Sequence, residues 1–321
     1  MIRTVTGDIA AKTLGFCQCH EHLFIERCKA FDISPLLLMD DFEKSSAELA
    51  LYRACGGQSL VDAQPVFAGR MAEYLLVASG KTGVNIIAVT GFHKTLYYSA
   101  DSYIFRDSAQ KIAQLYISEV EQGMVSSMAT GAIRLACKAG LIKVAVDSGG
   151  IYADATYEKL FEAATCAALE TGATIICHVE KGADALDMLM YFVSRGIQSH
   201  RIILCHLDRA HYDFAYHKDC LDTGVFLEYD TINRLKYHDD VKEADLICAM
   251  VENGYAGQLL LGLDTTRGRL HSYGGDMGLD YLAKTFLPYL MQRGVNKEDC
   301  DKMLVANPQE ALKIHKEKRN V

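Results

Sequence analysis

The chain has 321 residues, of which 50% are hydrophobic and 23% are charged, and its formal net charge is -8. This acidic balance argues against non-specific binding to nucleic acid or to an anionic membrane. No apolar run approaches the ~20 residues that a membrane span needs, and the N-terminus lacks the apolar segment of a signal peptide. Eleven cysteines, several of them inside apolar runs, fit a protein of the reducing cytoplasm.

The apolar pattern predicts eight short strands separated by helices. The strands are expected at 17–23, 59–63, 83–90, 141–146, 173–179, 201–207, 224–230 and 258–264. Helices are expected within 40–57, at 71–79, around Ile112, Tyr116 and Val120, at 156–170, at 184–195 and before Asn253. A last helix is expected to begin at Asn307-Pro308, because asparagine is favoured at the N-cap and proline at the first helical position.

Most of these strands are continuous apolar runs without clean alternation, which is typical of a parallel sheet buried on both faces. Eight strands that alternate with helices in one uninterrupted domain favour a (β/α)8 TIM barrel, an α/β fold that covers residues 1–321. A doubly wound open sheet is the alternative. It is disfavoured because no Gly-x-Gly-x-x-Gly phosphate loop follows an early strand.

Polar residues interrupt five of the eight strands, at or near the C-terminal end in most of them. They are His20 and His22 on strand one, Lys143 on strand four, His178 on strand five, His206 on strand six and Asp264 on strand eight. Singly, each histidine could be a core residue and the aspartate a helix cap. In a parallel barrel, however, the C-terminal ends of all strands open at one mouth, where active sites are built.

Four imidazoles and one carboxylate are too many ligands for one catalytic ion that keeps an open position, but they suit two ions. A charged lysine at position 143 would be expensive to bury. A neutral lysine, or a carbamate formed with CO2, would fit between two cations.

The motifs run in order along the whole chain. They are residues 15–23 with His20-Glu21-His22, Val61-Asp62-Ala63 with Gly69-Arg70, 89–92, Ile142-Lys143-Val144-Ala145, Cys177-His178, 205–208, Gly262-Leu263-Asp264 and Asn307-Pro308. With this set the chain resembles the phosphotriesterase-like branch of the amidohydrolase superfamily, which includes the phosphotriesterase-like lactonases.

The resemblance implies one metal ion bound by His20, His22 and Asp264, and a second bound by His178 and His206. A carboxylated Lys143 (N6-carboxylysine) and a hydroxide would bridge the two ions, and the hydroxide would be the nucleophile. Asp264 would orient the hydroxide and accept its proton, while Glu21 faces away and is expected to be structural. Zinc is expected from the nitrogen-rich ligands, with manganese or cobalt as alternatives. Relatives are often homodimers, so a homodimer is a further expectation.

The loops after the strands must select the substrate. Lactonase relatives place a tyrosine after strand three, which makes Tyr98, or its neighbour Tyr97, a candidate for contact with the lactone ring oxygen. The loops after strands seven and eight carry five residues that could bind an anionic substituent. These are Arg234, Lys236, Arg267, Arg269 and Tyr273. Arginine forks suit phosphate, and the pattern is similar to the subgroup that opens phosphorylated sugar γ-lactones.

The sequence therefore predicts a binuclear metal-dependent hydrolase that opens a small, polar, phosphorylated sugar γ-lactone. One alternative keeps the same metal centre in a phosphotriesterase, another phosphoesterase or an amidase. A second alternative, of another class, is a non-catalytic barrel whose loops only bind a partner.

Overall fold

The computed structural model describes residues 1–127 and 131–315, and its main element is an eight-stranded parallel sheet. Two further strands, β1 (Ile2–Thr4) and β2 (Gly7–Ile9), form an antiparallel hairpin that the apolar pattern did not predict. The barrel strands are β3 (Cys17–Glu21), β4 (Ser59–Asp62), β5 (Asn85–Gly91), β6 (Leu141–Ala145), β7 (Thr174–His178), β8 (Ile202–Cys205), β9 (Phe226–Tyr229) and β10 (Leu259–Leu261).

The barrel strands are hydrogen-bonded in chain order from β3 to β10, and each neighbouring pair is parallel. The first and last strands meet where the backbone N–H groups of Leu263 and Asp264 donate to the carbonyl oxygen of His20, at 3.3 and 2.9 Å. All eight predicted strands are present, and the TIM-barrel prediction is confirmed. The open-sheet alternative is wrong because the last strand, β10, contacts the first, β3, and closes the sheet.

Helices surround the sheet. They are α1 (Lys29–Ile33), α2 (Phe42–Ala54), α3 (Ala72–Thr82), α4 (Tyr103–Arg106), α5 (Ala109–Glu121), α6 (Ala155–Thr171), α7 (Ala185–Val193), α8 (Leu207–Ala210), α9 (Phe214–Leu221), α10 (Asp240–Glu252), α11 (Leu287–Gln292), α12 (Lys297–Asp301) and α13 (Asn307–Ala311). Two π-helical segments, Leu282–Phe286 and Lys302–Ala306, lead into α11 and α13. In the described part of the chain, no helix is both long and apolar enough to cross a membrane.

The helix start predicted at Asn307 is wrong. The residue before it is already helical, and helical backbone runs from Lys297 to Ala311 through the π-helical segment. The Asn307 amide instead donates to the carbonyl oxygens of Ala256 and Leu259, at 2.8 and 2.7 Å. It therefore fastens the last helix to the start of β10 rather than capping a helix.

Side chains alternate between two cores along each barrel strand, because successive strand residues point to opposite faces. On β6, Leu141 packs in the barrel interior, whereas Ile142 and Val144 pack under the surrounding helices. On β7, Ile176 is interior and Ile175 and Cys177 are exterior. The same alternation directs Lys143 and His178 inward, one step closer to the C-terminal mouth.

Candidate active site

Strand β3 and the residue directly after it supply two of the predicted ligands. His20 lies on β3 and His22 follows its last residue, and both side chains are buried on the inner side of the barrel. Their ring centroids are 5.7 Å apart, and His22 Nε2 lies 3.3 Å from Asp264 Oδ1. His20 Nε2 lies 4.0 Å from the same oxygen. These three side chains could hold one metal ion, because their ligand atoms all lie within 4.8 Å of one another.

The other predicted ligands, Lys143, His178 and His206, lie beside this group. The rings of His178 and His206 are 4.4 Å apart, and the ring of His206 is 4.8 Å from that of His20. Lys143 is fully buried, and its Nζ lies 3.4 Å from His20 Nε2. The structure thus brings all six predicted positions to one place at the mouth of the barrel.

Backbone conformation turns two of these ligands toward the centre. His206 and Asp264 have φ angles of +69° and +46°, in the left-handed region that non-glycine residues rarely adopt. Such conformations are disfavoured and cluster at functional sites. His206 directly follows β8 and Asp264 lies three residues after the end of β10, where a regular extended backbone would direct the side chain differently.

Two glycines allow the backbone to pass closely behind the ligands. A Cβ atom at Gly91 would lie 1.9 Å from the carbonyl oxygen of Lys143, and one at Gly262 would lie 2.8 Å from the backbone nitrogen of His20. Gly91 also has a φ of +98°. Any larger residue at either position would therefore displace a strand that carries a predicted ligand.

Two buried carboxylates and one half-buried arginine that the sequence reasoning missed surround the histidines. Asp230 Oδ1 lies 2.7 Å from His206 Nδ1, and Glu228 Oε2 lies 3.2 Å from His20 Nδ1. These contacts occupy the Nδ1 atoms and leave Nε2 to face the centre. Arg209 donates from Nη1 to Asp264 Oδ2 at 2.8 Å and lies 3.3 Å from Asp230 Oδ1.

Burial, together with Arg209 and Arg234, sets the protonation states of the residues in the centre. Burial lowers the pKa of Lys143, against the opposing attraction of Asp264, and so favours the neutral amine. Burial also lowers the pKa of His20 and of His206. Although burial raises it, Arg234 and Arg209 hold the pKa of Asp264 well below its usual range. Before reaction, the centre therefore offers neutral imidazoles at His20 and His206 and an ionised carboxylate at Asp264.

The donor set fits divalent metal ions. Neutral imidazole and carboxylate are ligands that zinc, manganese and cobalt accept. The buried Nδ1 of His22 and Nε2 of His178 have no hydrogen-bond partner within the described residues, although buried ring nitrogens are normally satisfied. His206, Asp230 and Asp264 form a second group that could hold an ion. Asp230 therefore joins the residues predicted around the second metal ion.

A cavity of about 440 Å³ opens above the centre. Two of the five predicted anion-binding residues, Arg234 and Lys236, line it, together with further cations Lys94, Lys181 and Lys242. Arg234 also pairs with Asp264. Lys236 is exposed, and its Nζ lies 5.2 Å from the ring centroid of Tyr237.

The other three predicted anion-binding residues lie outside the cavity lining. Arg269 donates to the carbonyl oxygens of Leu263 and Ile232 and so braces the loop around Asp264. The Tyr273 hydroxyl lies 2.9 Å from Ser45 Oγ, and Arg267 stands 5.7 Å from the Tyr273 ring. The structure does not bring these three residues into the lining of the cavity above the centre, and their contact with substrate stays a prediction.

Tyr98, the first of the two predicted catalytic tyrosines, also lies outside the lining of this cavity. Tyr98 is buried, and its hydroxyl accepts a hydrogen bond from the backbone N–H of His93 at 3.1 Å. It lines a neighbouring cavity of about 490 Å³ rather than the cavity above the centre. Tyr97 lines both cavities, and its ring is 4.5 Å from that of His93. Both tyrosines stay predictions, and of the two only Tyr97 lines the cavity above the centre.

A closed parallel barrel with histidines, a buried lysine and an ionised carboxylate at its C-terminal mouth defines the class of metal-dependent barrel hydrolases.

Comparison with known proteins gives the family. The family model described as "Phosphotriesterase family" matches residues 1–312, and the chain belongs to that family. A phospho-furanose lactonase from Mycoplasmopsis agalactiae is 32% identical, over 97% of this chain and 91% of the relative.

Two solved structures are similar over nearly the whole chain. An amidohydrolase from Mycoplasma synoviae superposes with a TM-score of 0.93 at 30% identity, covering 99% of this chain and 93% of the other. A lactonase from Listeria monocytogenes superposes with a TM-score of 0.89 at 28% identity, covering 98% and 99%. The predicted family and the predicted enzyme class, a metal-dependent hydrolase of the lactonase type, are confirmed, and a non-catalytic barrel is disfavoured.

Proposed function

We propose that the chain is a binuclear metal-dependent lactonase that opens a phosphorylated sugar γ-lactone to the hydroxy acid. The observation that carries the proposal is the charge of the cavity. In a protein with a net charge of -8, Arg234, Lys236, Lys181 and Lys242 line the space directly above the centre. Such a cationic pocket suits a phosphate substituent rather than an uncharged acyl chain. The phospho-furanose lactonase relative is consistent with this choice.

In this proposal His20, His22 and Asp264 hold one ion, and His178 and His206 hold the other, with Asp230 supporting His206. Lys143 would be shared between the two sites as N6-carboxylysine, because its burial favours the neutral amine that reacts with CO2. Zinc is the expected metal, with manganese or cobalt as alternatives. Two divalent ions would polarise the lactone carbonyl and lower the pKa of the attacking water.

The chain's own residues complete the reaction. Water adds to the lactone carbonyl carbon, the ring C–O bond breaks, and the ring oxygen leaves as the new hydroxyl. Asp264 accepts the proton of the attacking water and returns it to the ring oxygen. Arg209 and Arg234 orient the Asp264 carboxylate through its Oδ2 atom. In our proposal Tyr97 contacts the ring oxygen, and Lys236 and Lys242 bind the phosphate.

All eleven cysteines are unpaired in the structure, which supports our proposal of a reducing, cytoplasmic compartment. The homodimer stays a prediction.

A substrate panel tests the function. The metal-loaded enzyme is assayed on sugar γ-lactones with and without a 5-phosphate, on an aryl dialkyl phosphotriester and on an N-acyl amino acid. We expect the highest kcat/KM on a phosphorylated lactone. Equal rates on both lactones would contradict the anionic specificity, and a preference for the triester or the amide would assign the same centre to another hydrolase reaction.

A further inference from the structure

The ion pair between Lys94 and Glu180 lies in the active-site cavity and belongs to neither the metal ligands nor the anion-binding group. Lys94 follows β5 and Glu180 follows β7, and both line the cavity. Lys94 Nζ lies 2.6 Å from Glu180 Oε2. The side chain of Lys94 is 14% exposed and that of Glu180 is 35% exposed. The pair is therefore open to a ligand in the cavity rather than sealed in the core.

The pair stands directly beside the centre. Glu180 Oε2 lies 3.6 Å from His178 Nε2, and Glu180 Oε1 accepts the backbone N–H of Lys181 at 3.1 Å. The charges of Lys94 and Glu180 cancel each other, so the pair does not by itself attract an anionic group. It still presents an ammonium donor and a carboxylate acceptor, which are the two groups that an alcohol needs as hydrogen-bond partners.

Barrel topology sets Lys94, the donor of the pair, apart from the anion-binding loop that follows β9. In the ring of eight strands, β5 is third and β9 is seventh, so the loops after them lie on opposite sides of the mouth. Lys94 belongs to the first of these loops, and Arg234 and Lys236 belong to the second. A substrate that spans the centre therefore contacts both walls.

The chemistry of a γ-lactone matches these two walls. Its carbonyl carbon lies between C2 and the ring oxygen, and the ring oxygen connects to C4, which bears the phosphorylated arm. If the carbonyl lies over the centre and the phosphate reaches Lys236, C2 and its hydroxyl point to the opposite wall.

We propose that Lys94 and Glu180 form the subsite for the C2 hydroxyl of the sugar lactone, with Glu180 accepting its hydrogen bond and Lys94 donating to its oxygen. This inference rests on the proposed function and deepens it. It makes the enzyme specific for 2-hydroxylated γ-lactones and unsuited to 2-deoxy and plain alkyl lactones.

The test compares two 5-phosphorylated γ-lactones that differ only in the C2 hydroxyl. We expect the wild-type enzyme to prefer the 2-hydroxy lactone by ~10–100-fold in kcat/KM, less than a fully buried hydroxyl site achieves because the pair is partly exposed. Glu180→Ala and the double variant Lys94→Met/Glu180→Ala should reduce this ratio to near one. The double variant leaves no unpaired charge. The ratio of the kcat/KM values for the two lactones, measured on one sample, does not depend on the fraction of the protein that is folded.

Lys81→Met is the matched control. Lys81 Nζ lies 2.8 Å from Glu43 Oε2 in an ion pair on the outside of the barrel, so its loss should leave the C2 preference unchanged. If the pair only braces its loops, the variants will lower kcat/KM for both lactones equally, and the proposal is overturned. Absence of a wild-type C2 preference overturns it as well, while the phosphate preference, measured separately, continues to support the function. If the wild-type enzyme does not prefer the phosphorylated lactone, both proposals are overturned, because the bound phosphate is what orients C2 toward Lys94 and Glu180.

Discussion

The hydroxyl of Thr265 donates a hydrogen bond to Glu21 Oε2 at 2.6 Å, joining the residue after Asp264 to the residue between His20 and His22. The other oxygen of Glu21, Oε1, accepts the backbone N–H of Leu263 at 2.9 Å. One carboxylate therefore holds the backbone on both sides of Asp264, which has a disfavoured positive φ. The end of β3 therefore contributes to the centre twice: His20 and the following His22 are predicted ligands, and Glu21 between them supports Asp264.

Replacing Glu21 should weaken metal binding although Glu21 touches no metal ion. Glu21→Gln keeps the size of the side chain but turns an amide N–H₂ toward backbone and hydroxyl donors. We expect a ~10–100-fold loss of affinity for one metal ion per chain, the range typical of residues that orient ligands. Competition with a chelator, followed by elemental analysis, measures it.

Glu119→Gln is the control for this variant. Glu119 is a buried carboxylate on α5 that pairs with Arg70 at 2.7 Å, away from the cavity. Its replacement should lower the free energy of unfolding without changing metal content. Equal metal retention by Glu21→Gln and the wild type would contradict the positioning role.

Lys143 should make activity depend on CO2. Burial lowers the pKa of its amine, so the neutral form can attack CO2 to give a carbamate. Metal-free enzyme reconstituted with zinc in CO2-free buffer should regain little activity, and added bicarbonate should restore it. Lys143→Met should not respond to bicarbonate. Full reconstitution without CO2 would show that the unmodified lysine is sufficient.

Lys236 and Arg269, although predicted for the same role, should respond differently to loss of charge. Lys236→Met should raise KM for the phosphorylated lactone about tenfold with a smaller change in kcat, because a distant phosphate contact contributes mainly to uniform binding. Arg269→Met should instead lower the free energy of unfolding, since its guanidinium binds backbone carbonyls. Steady-state kinetics and urea unfolding separate the two effects. A rise in KM for Arg269→Met without loss of stability would contradict the structural role.

His217 should contribute stability that is lost in acid. It is buried, its Nδ1 lies 2.7 Å from the Tyr229 hydroxyl and its Nε2 lies 2.7 Å from the His211 carbonyl oxygen. Burial lowers the pKa of His217 below its unfolded value of ~6.5, so below that pH the unfolded chain binds the proton more tightly. Folding stability therefore falls as pH falls below ~6.5.

Unfolding of the wild type and His217→Asn at pH 8, 6.5 and 5 tests this dependence. We expect the variant to be less stable at pH 8 by ~1–3 kcal/mol, the cost of leaving buried partners unsatisfied. The difference should shrink toward pH 5. A difference that grows as the pH falls would contradict the sign of the shift.

The sequence predicts much of this centre because its ligands obey strand periodicity. His20, His22, Lys143 and His178 lie on inner faces that period two defines, and the eight apolar runs fix which strand carries each. Glu228 and Asp230 share that periodicity at the end of an apolar strand and could have been found in the same way.

Loop residues follow no such rule. Arg234 lines the cavity whereas Arg269 binds carbonyl oxygens behind it, and only tertiary contacts distinguish the two. Tyr97 and Tyr98 are adjacent, so a shift of one residue in the loop decides which of them lines the cavity above the centre. The helix start expected at Asn307 failed for a related reason, because its amide serves the start of β10 instead of a cap.

Metal titration of a phosphorylated lactone assay tests the central claim most directly. The purified chain is stripped with a chelator, zinc is added back in the presence of bicarbonate, and hydrolysis of a 5-phosphorylated sugar γ-lactone is followed. The binuclear lactonase predicts no activity in the stripped protein and a rise to a plateau at two ions per chain. Activity that survives metal removal, or none at any metal content, would contradict it.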